Sequence, residues 1–462
     1  MTRREHDLIG GREVSSDVYW GIHTLRALEN FPLTGIPLSS HPELVRALAT
    51  VKEAAALAHD ELGTLPGDKV GAIVAACQEI REGRLHEQFV VDVFQGGAGT
   101  SANMNANEVI ANRALELLGH PRGSYSHLHP IDDVNRSQST NDAFPTAAKI
   151  ALYVAAGHLL DGMTVLRNAF GERGGAFAKT VKLGRTQLQD AVPMTLGREF
   201  DAFALTVRDD AEVVRRAADA LLEVNLGGTA IGTGLNADPG FAERAVSHLG
   251  VVASVPVRPA RDLVESTQGV GGFIGLSGAM KQFALRLSKI CNDLRLLASG
   301  PSAGLGELRL PERQAGSSIM PGKVNPVIPE AVNQVCFDVI GADGAVCAAA
   351  QAGQLQLNAF EPLMVHHLLN SAHRLQAACL VLAERCVSGI EADEERLRGL
   401  VERSSGLATA LNPVVGYQRA TDLARRCQAT GVPVRELAAG DGLLSEDELD
   451  VVLDPWRLAR PH

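Results

Sequence analysis

Aromatic residues are scarce in this sequence of 462 residues: they make up 4% of it, as two Trp, four Tyr and thirteen Phe. Sheet-based cores usually depend on aromatic and β-branched side chains, so this scarcity argues against a β-sandwich. The sequence is instead rich in Ala and Leu, which are strong helix formers. A hydrophobic content of 45% with 21% charged residues excludes wholesale disorder. We therefore predict a mainly α-helical protein with a large core.

Motifs of several protein classes are also missing. The sequence has no HExxH zinc motif, no GxSxG elbow of a serine hydrolase, and seven Cys without a CxxC pair. The odd Cys count predicts buried thiols in a reducing compartment. The N-terminal text has no apolar signal region, and no apolar run approaches the ~18–20 residues of a membrane span. We expect a cytoplasmic protein without a membrane partner and without a metal site of its own.

The balance of charge restricts the partners. The net charge is −11 at pH 7, from 43 basic and 54 acidic residues. Proteins that bind nucleic acid normally present a basic face, so we expect no nucleic-acid partner. A small anion remains compatible with this composition, because one local cation or helix start can bind it.

Helical patterning divides the sequence into three predicted domains. They are a mixed, mostly helical N-terminal domain over 1–138, a central long-helix bundle over 139–393, and a small helical C-terminal domain over 394–462. Within the bundle, 199–225 separates charged from apolar residues, and 279–299 carries a heptad-like apolar stripe. That stripe favours helix association between subunits. Further helices are predicted at 42–62, 67–82, 327–350 and 360–388.

Three polar stretches lie between the predicted helices. The first, 95–101, is rich in Gly and either exposes N–H groups to an anion or forms a capped loop. The second, SQSTND at 137–142, offers small hydrogen-bonding side chains to a ligand or forms a helix N-cap. The third, GRTQLQD at 184–190, either orients a ligand or caps a helix. Each stretch alone leaves the structural and the functional interpretation open.

A fourth stretch, GSSIMPGKVNP at 316–326, is the strongest candidate for chemistry. Glycines near both ends permit a mobile loop, and Asn325 followed by Pro326 predicts the start of a helix. That start lies beside Lys323, so the sequence predicts a positive pocket for an anion. The loop differs from a Walker A loop in its glycine spacing, and the Gly-rich run at 227–234 follows no clear strand, which argues against a dinucleotide fingerprint.

Together these stretches resemble the aspartase/fumarase superfamily. The texts GGAGTSANMNANEV, SQSTND, GRTQLQDAVPMTLG and GSSIMPGKVNP occur in that family's order and at its spacing. The text after the last motif, PVIPEAVNQVCFDVIG and then AGQLQLN, is more similar to the aspartate ammonia-lyase branch than to the fumarases. The resemblance extends over essentially the whole chain. It implies a mainly α, three-domain fold whose central helix bundle assembles into a tetrameric helical core.

The resemblance also implies a reaction, the reversible anti-elimination of ammonia from L-aspartate to give fumarate. Ser317 matches the base that takes the Cβ proton, and the resulting aci-carboxylate needs preorganised donors where its charge develops. A free Ser hydroxyl is far too weak a base, so the site must lower the pKa of Ser317. Nearby backbone N–H groups and Lys323 are the candidate means.

The family positions that hold the substrate are carried over residue by residue. Those of the β-carboxylate correspond to Thr100, Ser139, Thr140 and Ser318. Those of the α-carboxylate correspond to Lys323 and Asn325. Those near the amino group correspond to Thr140, Asn141 and Gln187, with Thr186 in the same segment. Fumarases carry a His, paired with a Glu, where this sequence has Gln187 and Glu330, which favours the ammonia-lyase branch and leaves the leaving-group acid and the role of Glu330 unassigned.

The resemblance further implies a homotetramer whose active sites are shared by three subunits, a small dicarboxylate substrate and no cofactor. Nothing in the sequence indicates whether a divalent cation activates the enzyme. Three alternatives remain at this point: a class II fumarate hydratase, a lyase for another aspartate-like substrate, and a non-catalytic scaffold of the kind that lens crystallins of this superfamily represent. The intact Ser317, Lys323 and Asn325 argue against the scaffold.

Overall fold

The computed structural model describes residues 1–459, and it confirms a mainly α-helical protein. In this part of the chain the α-helices are α1 (Ile22–Asn30), α2 (Pro42–Leu62), α3 (Gly67–Arg81), α4 (Thr100–Leu117), α5 (Thr140–Ala176), α6 (Leu196–Asp219), α7 (Phe241–Ala253), α8 (Leu263–Gln268), α9 (Gly271–Leu297), α10 (Val327–Gln351), α11 (Glu361–Arg385), α12 (Glu394–Arg403), α13 (Asn412–Val415), α14 (Tyr417–Thr430), α15 (Val434–Gly440), α16 (Glu446–Val452) and α17 (Pro455–Leu458).

The strands of the described residues pair only two by two. They are β1 (Thr2–Asp7) with β2 (Gly10–Ser15), β3 (Val181–Thr186) with β4 (Gln189–Thr195), β5 (Glu223–Val224) with β6 (Arg258–Pro259), and β7 (Leu308–Arg309) with β8 (Glu391–Ala392). The β5–β6 pair is parallel and the others are antiparallel. Sheets this small do not form a core of their own, so the helices supply it.

The chain divides into two compact units. Unit 1 holds 1–160, 212–282 and 338–374, and unit 2 holds 161–211, 283–337 and the chain from 375 onward. The helices that contribute residues to both units are α5, α6, α9, α10 and α11. The division into domains 1–138, 139–393 and 394–462 stays a prediction, and its last three residues, 460–462, lie outside the described residues.

In unit 1, α2 packs against both α3 and α7. Small side chains make this close packing possible, because α2 buries a run of alanines and leucines on several sides. A single lysine, Lys52, lies in the middle of this buried helix and is 1% exposed. A buried amine must find hydrogen-bond acceptors, and those acceptors belong to the candidate site described below.

In unit 2, the C-terminal helices pack on the β3–β4 hairpin. Leu183 of β3 belongs to the same buried cluster as Leu411, Leu423 and Leu449 from the chain after residue 394. The hairpin is therefore anchored at its base by apolar packing, and its turn is free to carry polar side chains.

The apolar stripe predicted on α9 lies inside the chain. Its members are buried, with exposures of 6% or less: Met280, Phe283, Leu287, Ile290, Leu294 and Leu297. The expectation that this stripe mediates contacts between subunits is therefore wrong, because intrachain packing already covers it. The opposite face of α9 exposes other apolar residues, Ile274 at 42%, Leu285 at 52% and Leu296 at 42%.

By length and composition, one helix, α5, is long and apolar enough to cross a membrane. The sequence had led us to expect no such apolar run. Its most apolar window is 72% buried inside the protein. Burial of this kind is typical of the core helix of a folded protein rather than of a membrane span.

The thiols follow the sequence expectation closely. Six cysteines are buried and unpaired, and Cys347 is exposed. Burial raises the pKa of the Cys336 and Cys386 thiols to about 12 and keeps them protonated and unreactive.

Candidate active site

The Gly-rich stretch forms a tight turn at the start of α4. Gly97, Ala98 and Gly99 all adopt left-handed backbone angles, with φ of 87°, 54° and 90°. A Cβ on Gly99 would lie 2.5 Å from the Phe144 ring, so only Gly fits there. Thr100 is exposed at the first turn of α4, and its hydroxyl donates to the Gly97 carbonyl at 2.6 Å. The N-cap of α4 is Gly99 and no side chain caps it, so the capped-loop interpretation of this stretch is wrong. Binding of an anion at this helix start stays a prediction.

The second stretch forms the N-terminus of α5. The Ser139 hydroxyl oxygen accepts the Asn141 N–H at 3.2 Å, and Asp142 Oδ1 accepts the Ser139 N–H at 2.8 Å. The Ser139 side chain therefore caps the second residue of the helix. The Asp142 side chain reaches back from the third residue to the Ser139 N–H, as the acidic partner does in a capping box. Ser139, Thr140 and Asn141 are half-buried around it. The N-cap interpretation is therefore confirmed, and the exposed hydroxyls lie at the positive end of a helix.

Asp142 also joins this helix start to a second loop. Its Oδ2 atom accepts the N–H groups of Gly227 at 3.1 Å and Thr229 at 2.9 Å. Asn141 Nδ2 donates to the Ala230 carbonyl at 2.7 Å. Burial raises the Asp142 pKa to about 6, although the backbone donors and the charge of Lys52 act in the opposite direction. The Gly-rich run at 227–234 thus supports the binding stretch, and it is preceded by β5 of only two residues.

The third stretch is a β-hairpin, so the helix-cap interpretation is wrong. Thr186 faces Gln189, and the two turn residues, Gln187 and Leu188, have φ of 54° and 62°. Two-residue hairpin turns of this kind usually use Asn and Gly, because a left-handed conformation strains larger side chains. Thr186 and Gln187 are exposed at the tip. Backbone strain held at one exposed tip is a common property of functional sites.

A buried ion network fixes the base of this hairpin. Lys182 Nζ lies 2.8 Å from Glu199 Oε2 and 3.0 Å from Glu307 Oε2, and Arg185 lies 2.5 Å from Glu307 Oε1. The side chains of Lys182 and Glu307 are 2% and 0% exposed. Charges this deeply buried are tolerated only when they are paired, so the network fixes the direction of β3.

The fourth stretch places two backbone donors on the predicted base. The N–H groups of Ile319 and Met320 donate to Ser317 Oγ at 3.1 Å and 3.0 Å. Two donors favour a negatively charged oxygen, so they act in the direction that lowers the pKa of a Ser hydroxyl. The predicted contribution of backbone N–H groups is therefore present before any ligand binds.

The same loop is closed at its base. The Gly316 N–H donates to the Lys323 carbonyl at 2.8 Å, and Asn325 Nδ2 donates to the Gly316 carbonyl at 2.9 Å. Helix α10 begins at Val327, directly after the predicted start at Asn325 and Pro326, and the Asn325 amide closes the loop instead of capping the helix. Ser317 is half-buried, whereas Ser318 and Lys323 are exposed. Within residues 1–459 the Lys323 ammonium has no ion-pair partner, which leaves it available to an anion.

Glu330 lies on the first turn of α10 in unit 2. Its carboxylate is 3.8 Å from Arg295, and both side chains are about two-fifths exposed. An ion pair this long and exposed contributes little to stability, so it assigns no role to Glu330.

The predicted residues are divided between the two units and none of them is buried. Unit 1 holds Thr100 and the Ser139–Asn141 stretch, and unit 2 holds the hairpin tip and the signature loop, 316–326. Sequence reasoning missed the buried residues that hold these stretches in place, above all Asp142 and Lys52. The signal for Lys52 was a charged residue between apolar stretches of α2, and for Asp142 it was a carboxylate three residues after Ser139.

Within the described residues, no group of three or more His, Cys, Asp or Glu is arranged to hold a metal ion.

Comparison with known proteins gives the same family over the whole chain. The family model described as Lyase matches residues 10–341, and the one described as Fumarase C C-terminus matches residues 407–460. Aspartate ammonia-lyase of Pseudomonas aeruginosa is 55% identical over 100% of this chain and 98% of that protein. Aspartate ammonia-lyase of Escherichia coli K12 is 51% identical over 99% of this chain and 96% of that protein.

Solved structures of similar proteins indicate the same family. A protein described as "fumarate lyase:delta crystallin from Brucella melitensis bound to cobalt" is 56% identical with a TM-score of 0.98, and each chain is covered to 100%. A class II fumarase from Schistosoma mansoni is 32% identical with a TM-score of 0.96, again with 100% of both chains covered. The chain belongs to the aspartase/fumarase superfamily of lyases.

Proposed function

We propose that the chain is an aspartate ammonia-lyase that converts L-aspartate reversibly to fumarate and ammonia. Full-length relatives of that name at 49–55% identity support this substrate. The class II fumarase structure is more distant, at 32% identity. Gln187 at the hairpin tip also favours ammonia release over hydration, because a fumarase-type His–Glu pair cannot form there.

The single observation that carries the mechanism is the pair of N–H donors on Ser317 Oγ. In the proposed step, Ser317 takes the proton from Cβ, the electrons move into the adjacent carboxylate, and the C–N bond then breaks. Donors at Ser139, Thr140 and Ser318 stabilise the aci-carboxylate, joined by the Thr100 hydroxyl when it turns from the Gly97 carbonyl to the substrate. Lys323 and Asn325 hold the other carboxylate. Asn141, Thr186 and Gln187 lie around the amino group.

Replacing Ser317 by Ala tests this mechanism. We expect a folded protein whose kcat for fumarate formation falls roughly 10²–10⁴-fold, because the general base is lost. The assay follows fumarate absorbance with L-aspartate or L-malate supplied, together with ammonia release. Ser318→Ala is the matched control, since it removes one donor to the aci-carboxylate but keeps the base, so its kcat should fall less than that of Ser317→Ala. Near-normal kcat in Ser317→Ala would refute the role of Ser317, and fumarate from malate alone would refute the substrate.

The second part of the proposal is a cytoplasmic homotetramer whose sites combine residues of three subunits. Buried unpaired thiols support a reducing compartment. The exposed predicted residues support a site that one chain leaves open. The exposed face of α9 supports association, because Ile274, Leu285 and Leu296 recur every eleven residues, which is about three helical turns.

Mixing two variants that each have low activity at substrate concentrations far below KM tests whether the sites are shared. Ser317→Ala and Thr140→Val are co-expressed in equal amounts, and random assembly regenerates intact sites only if the two residues of one site come from different chains. About a quarter of sites would then be intact, given symmetric assembly. No recovery of activity in verified mixed tetramers would contradict the shared site. A monomer by light scattering would contradict the assembly.

A further inference from the structure

A chain of hydrogen bonds connects Lys52 to Thr140 inside unit 1. Lys52 Nζ donates to Asn135 Oδ1 at 2.8 Å and to Gln138 Oε1 at 2.9 Å. Asn103 Nδ2 donates to the same Asn135 Oδ1 at 3.1 Å and to Thr140 Oγ1 at 3.2 Å. Lys52 and Asn103 are each 1% exposed. A buried amine is therefore linked, through two amides, to a half-buried hydroxyl at the candidate site.

The direction of these hydrogen bonds is fixed at the buried end. Burial lowers the Lys52 pKa to about 7, and the Asp142 charge opposes this shift in favour of the ammonium. An ammonium donates N–H bonds and accepts none, so the Asn135 atom that faces the charged Lys52 is its oxygen. The Asn135 amide nitrogen donates to the backbone carbonyl of Gln138 at 3.1 Å, which requires the same orientation. An oxygen at this place in turn requires an N–H from Asn103.

The consequence appears at Thr140. Because Asn103 supplies an N–H, the Thr140 oxygen accepts, and the hydroxyl hydrogen is left for another acceptor. Within residues 1–459 no acceptor for that hydrogen is present. Thr100 differs in this respect, since its hydroxyl already donates to the Gly97 carbonyl at 2.6 Å.

We propose that Lys52 and Asn103 are positioning residues that hold the Thr140 hydroxyl as a hydrogen-bond donor to a substrate carboxylate. This inference rests on the proposed function, which places Thr140 at that carboxylate. A carboxylate only accepts hydrogen bonds, so a hydroxyl that is free to rotate would present its lone pairs for part of the time. A donor fixed in advance avoids that loss and the cost of reorientation.

Neighbouring charge supports the same arrangement. Asp142 interacts electrostatically with Lys52, and its carboxylate holds the Ser139 N–H beside Thr140. The buried cation is thus balanced by a buried anion that is itself part of the binding stretch. Both charges act on the binding stretch from the protein interior, through its backbone and its side chains.

A double-mutant cycle tests the inference. Thr140→Val, Lys52→Met and their combination are compared by the Kd of fumarate and by KM and kcat for L-aspartate. We expect each single change to raise the fumarate Kd roughly tenfold, because a hydrogen bond to a charged group is weakened or lost. The combination should bind no more weakly than Thr140→Val alone, since Lys52 acts through Thr140.

Lys149→Met is the matched control. Lys149 is also buried, at 8% exposure, but it donates to the Glu223 carbonyl and has no link to Thr140. We expect a lower melting temperature and an unchanged fumarate Kd, with effects that add to those of Thr140→Val. A merely structural role for Lys52 would give the same additive pattern.

Additive effects of Lys52→Met and Thr140→Val would overturn the inference, as would a folded Lys52→Met with normal fumarate affinity. If Lys52→Met does not fold, Asn103→Leu, which keeps the branched shape but removes the polar atoms, takes its place in the cycle with the same expected outcome. An unchanged Kd in Thr140→Val overturns the inference but leaves the proposed reaction to the separate Ser317→Ala result.

Discussion

Replacing Asp142 by Asn perturbs two loops at once, because its carboxylate accepts three backbone N–H groups. One oxygen holds Ser139 at 2.8 Å, and the other holds Gly227 at 3.1 Å and Thr229 at 2.9 Å. An amide has only one oxygen, so its NH₂ group must face at least one of these donors. The least damaging orientation keeps the 227–229 loop and leaves the Ser139 N–H without its acceptor.

The size of the effect follows from that count. A buried donor without a partner costs about 1–3 kcal/mol. At neutral pH the neutral Asn also avoids the cost of the buried charge, so Asp142→Asn should lower the free energy of unfolding by no more than that amount. Since Ser139 is the residue released, we also expect the fumarate Kd to rise roughly tenfold. Urea denaturation gives the stability, and isothermal titration with fumarate gives the affinity.

The pH dependence of stability provides a second measure. Burial raises the Asp142 pKa from 3.8 to about 6. The folded protein therefore keeps a proton that the unfolded chain releases, and the stability of the wild type falls as pH rises from about 4 to 6. A shift of this size corresponds to about 3 kcal/mol across that window. Asp142→Asn has no such proton and should lose this part of the pH dependence.

Asp343→Asn is the matched control for this prediction. Asp343 is 7% exposed and also lies in unit 1, but it accepts from the side chains of Ser277 and Lys281. It should lower stability without changing the fumarate Kd. If Asp142→Asn keeps both the wild-type stability and the wild-type Kd, the carboxylate does not hold the two loops as described here.

Two further changes test other parts of the site. Glu307→Gln leaves Lys182 and Arg185 without their shared anion, so it should destabilise the protein by about 3–5 kcal/mol in urea denaturation; Glu199→Gln should cost less, because Lys182 keeps Glu307, and equal losses would contradict the network. Gly99→Ala places a Cβ 2.5 Å from the Phe144 ring at φ 90°, whereas Gly119→Ala meets nothing within 4 Å at φ 80°. Both substitutions put an Ala into a left-handed conformation, which costs about 1–3 kcal/mol. A larger fall in melting temperature for Gly99→Ala than for Gly119→Ala therefore measures the clash with the Phe144 ring. Equal falls would show that Phe144 moves aside.

The regular helices could be predicted from the sequence because their periodicity is local. Helix α2 has the predicted bounds of 42–62, and α10 and α11 begin and end within a few residues of theirs. Helix α9 begins at Gly271, eight residues before its predicted start, because packing overrides the low helix propensity of the glycines there. The β3–β4 hairpin was missed for a related reason, since its turn, Gln187-Leu188, lacks the usual turn residues.

The residues of the candidate site also differ in how far the sequence predicts them. Motifs that are contiguous in the chain, such as 137–142 and 316–326, could be recognised from the sequence. Their partners could not, because Lys52 and Asn135 are separated by 83 positions and meet only in the folded protein. The apolar stripe on α9 had the expected spacing, but spacing alone does not distinguish a partner helix of the same chain from one of another chain.

The closed base of the loop at 316–326 has a consequence for how substrate range changes during evolution. Gly316, Lys323 and Asn325 tie the ends of the loop together, while Ile319 and Met320 between them are 83% and 48% exposed. Substitutions at these two tip positions leave the tie and the core untouched. A lineage can therefore vary the apolar tip, and with it the molecules admitted to Ser317, without first acquiring compensating mutations in the fold.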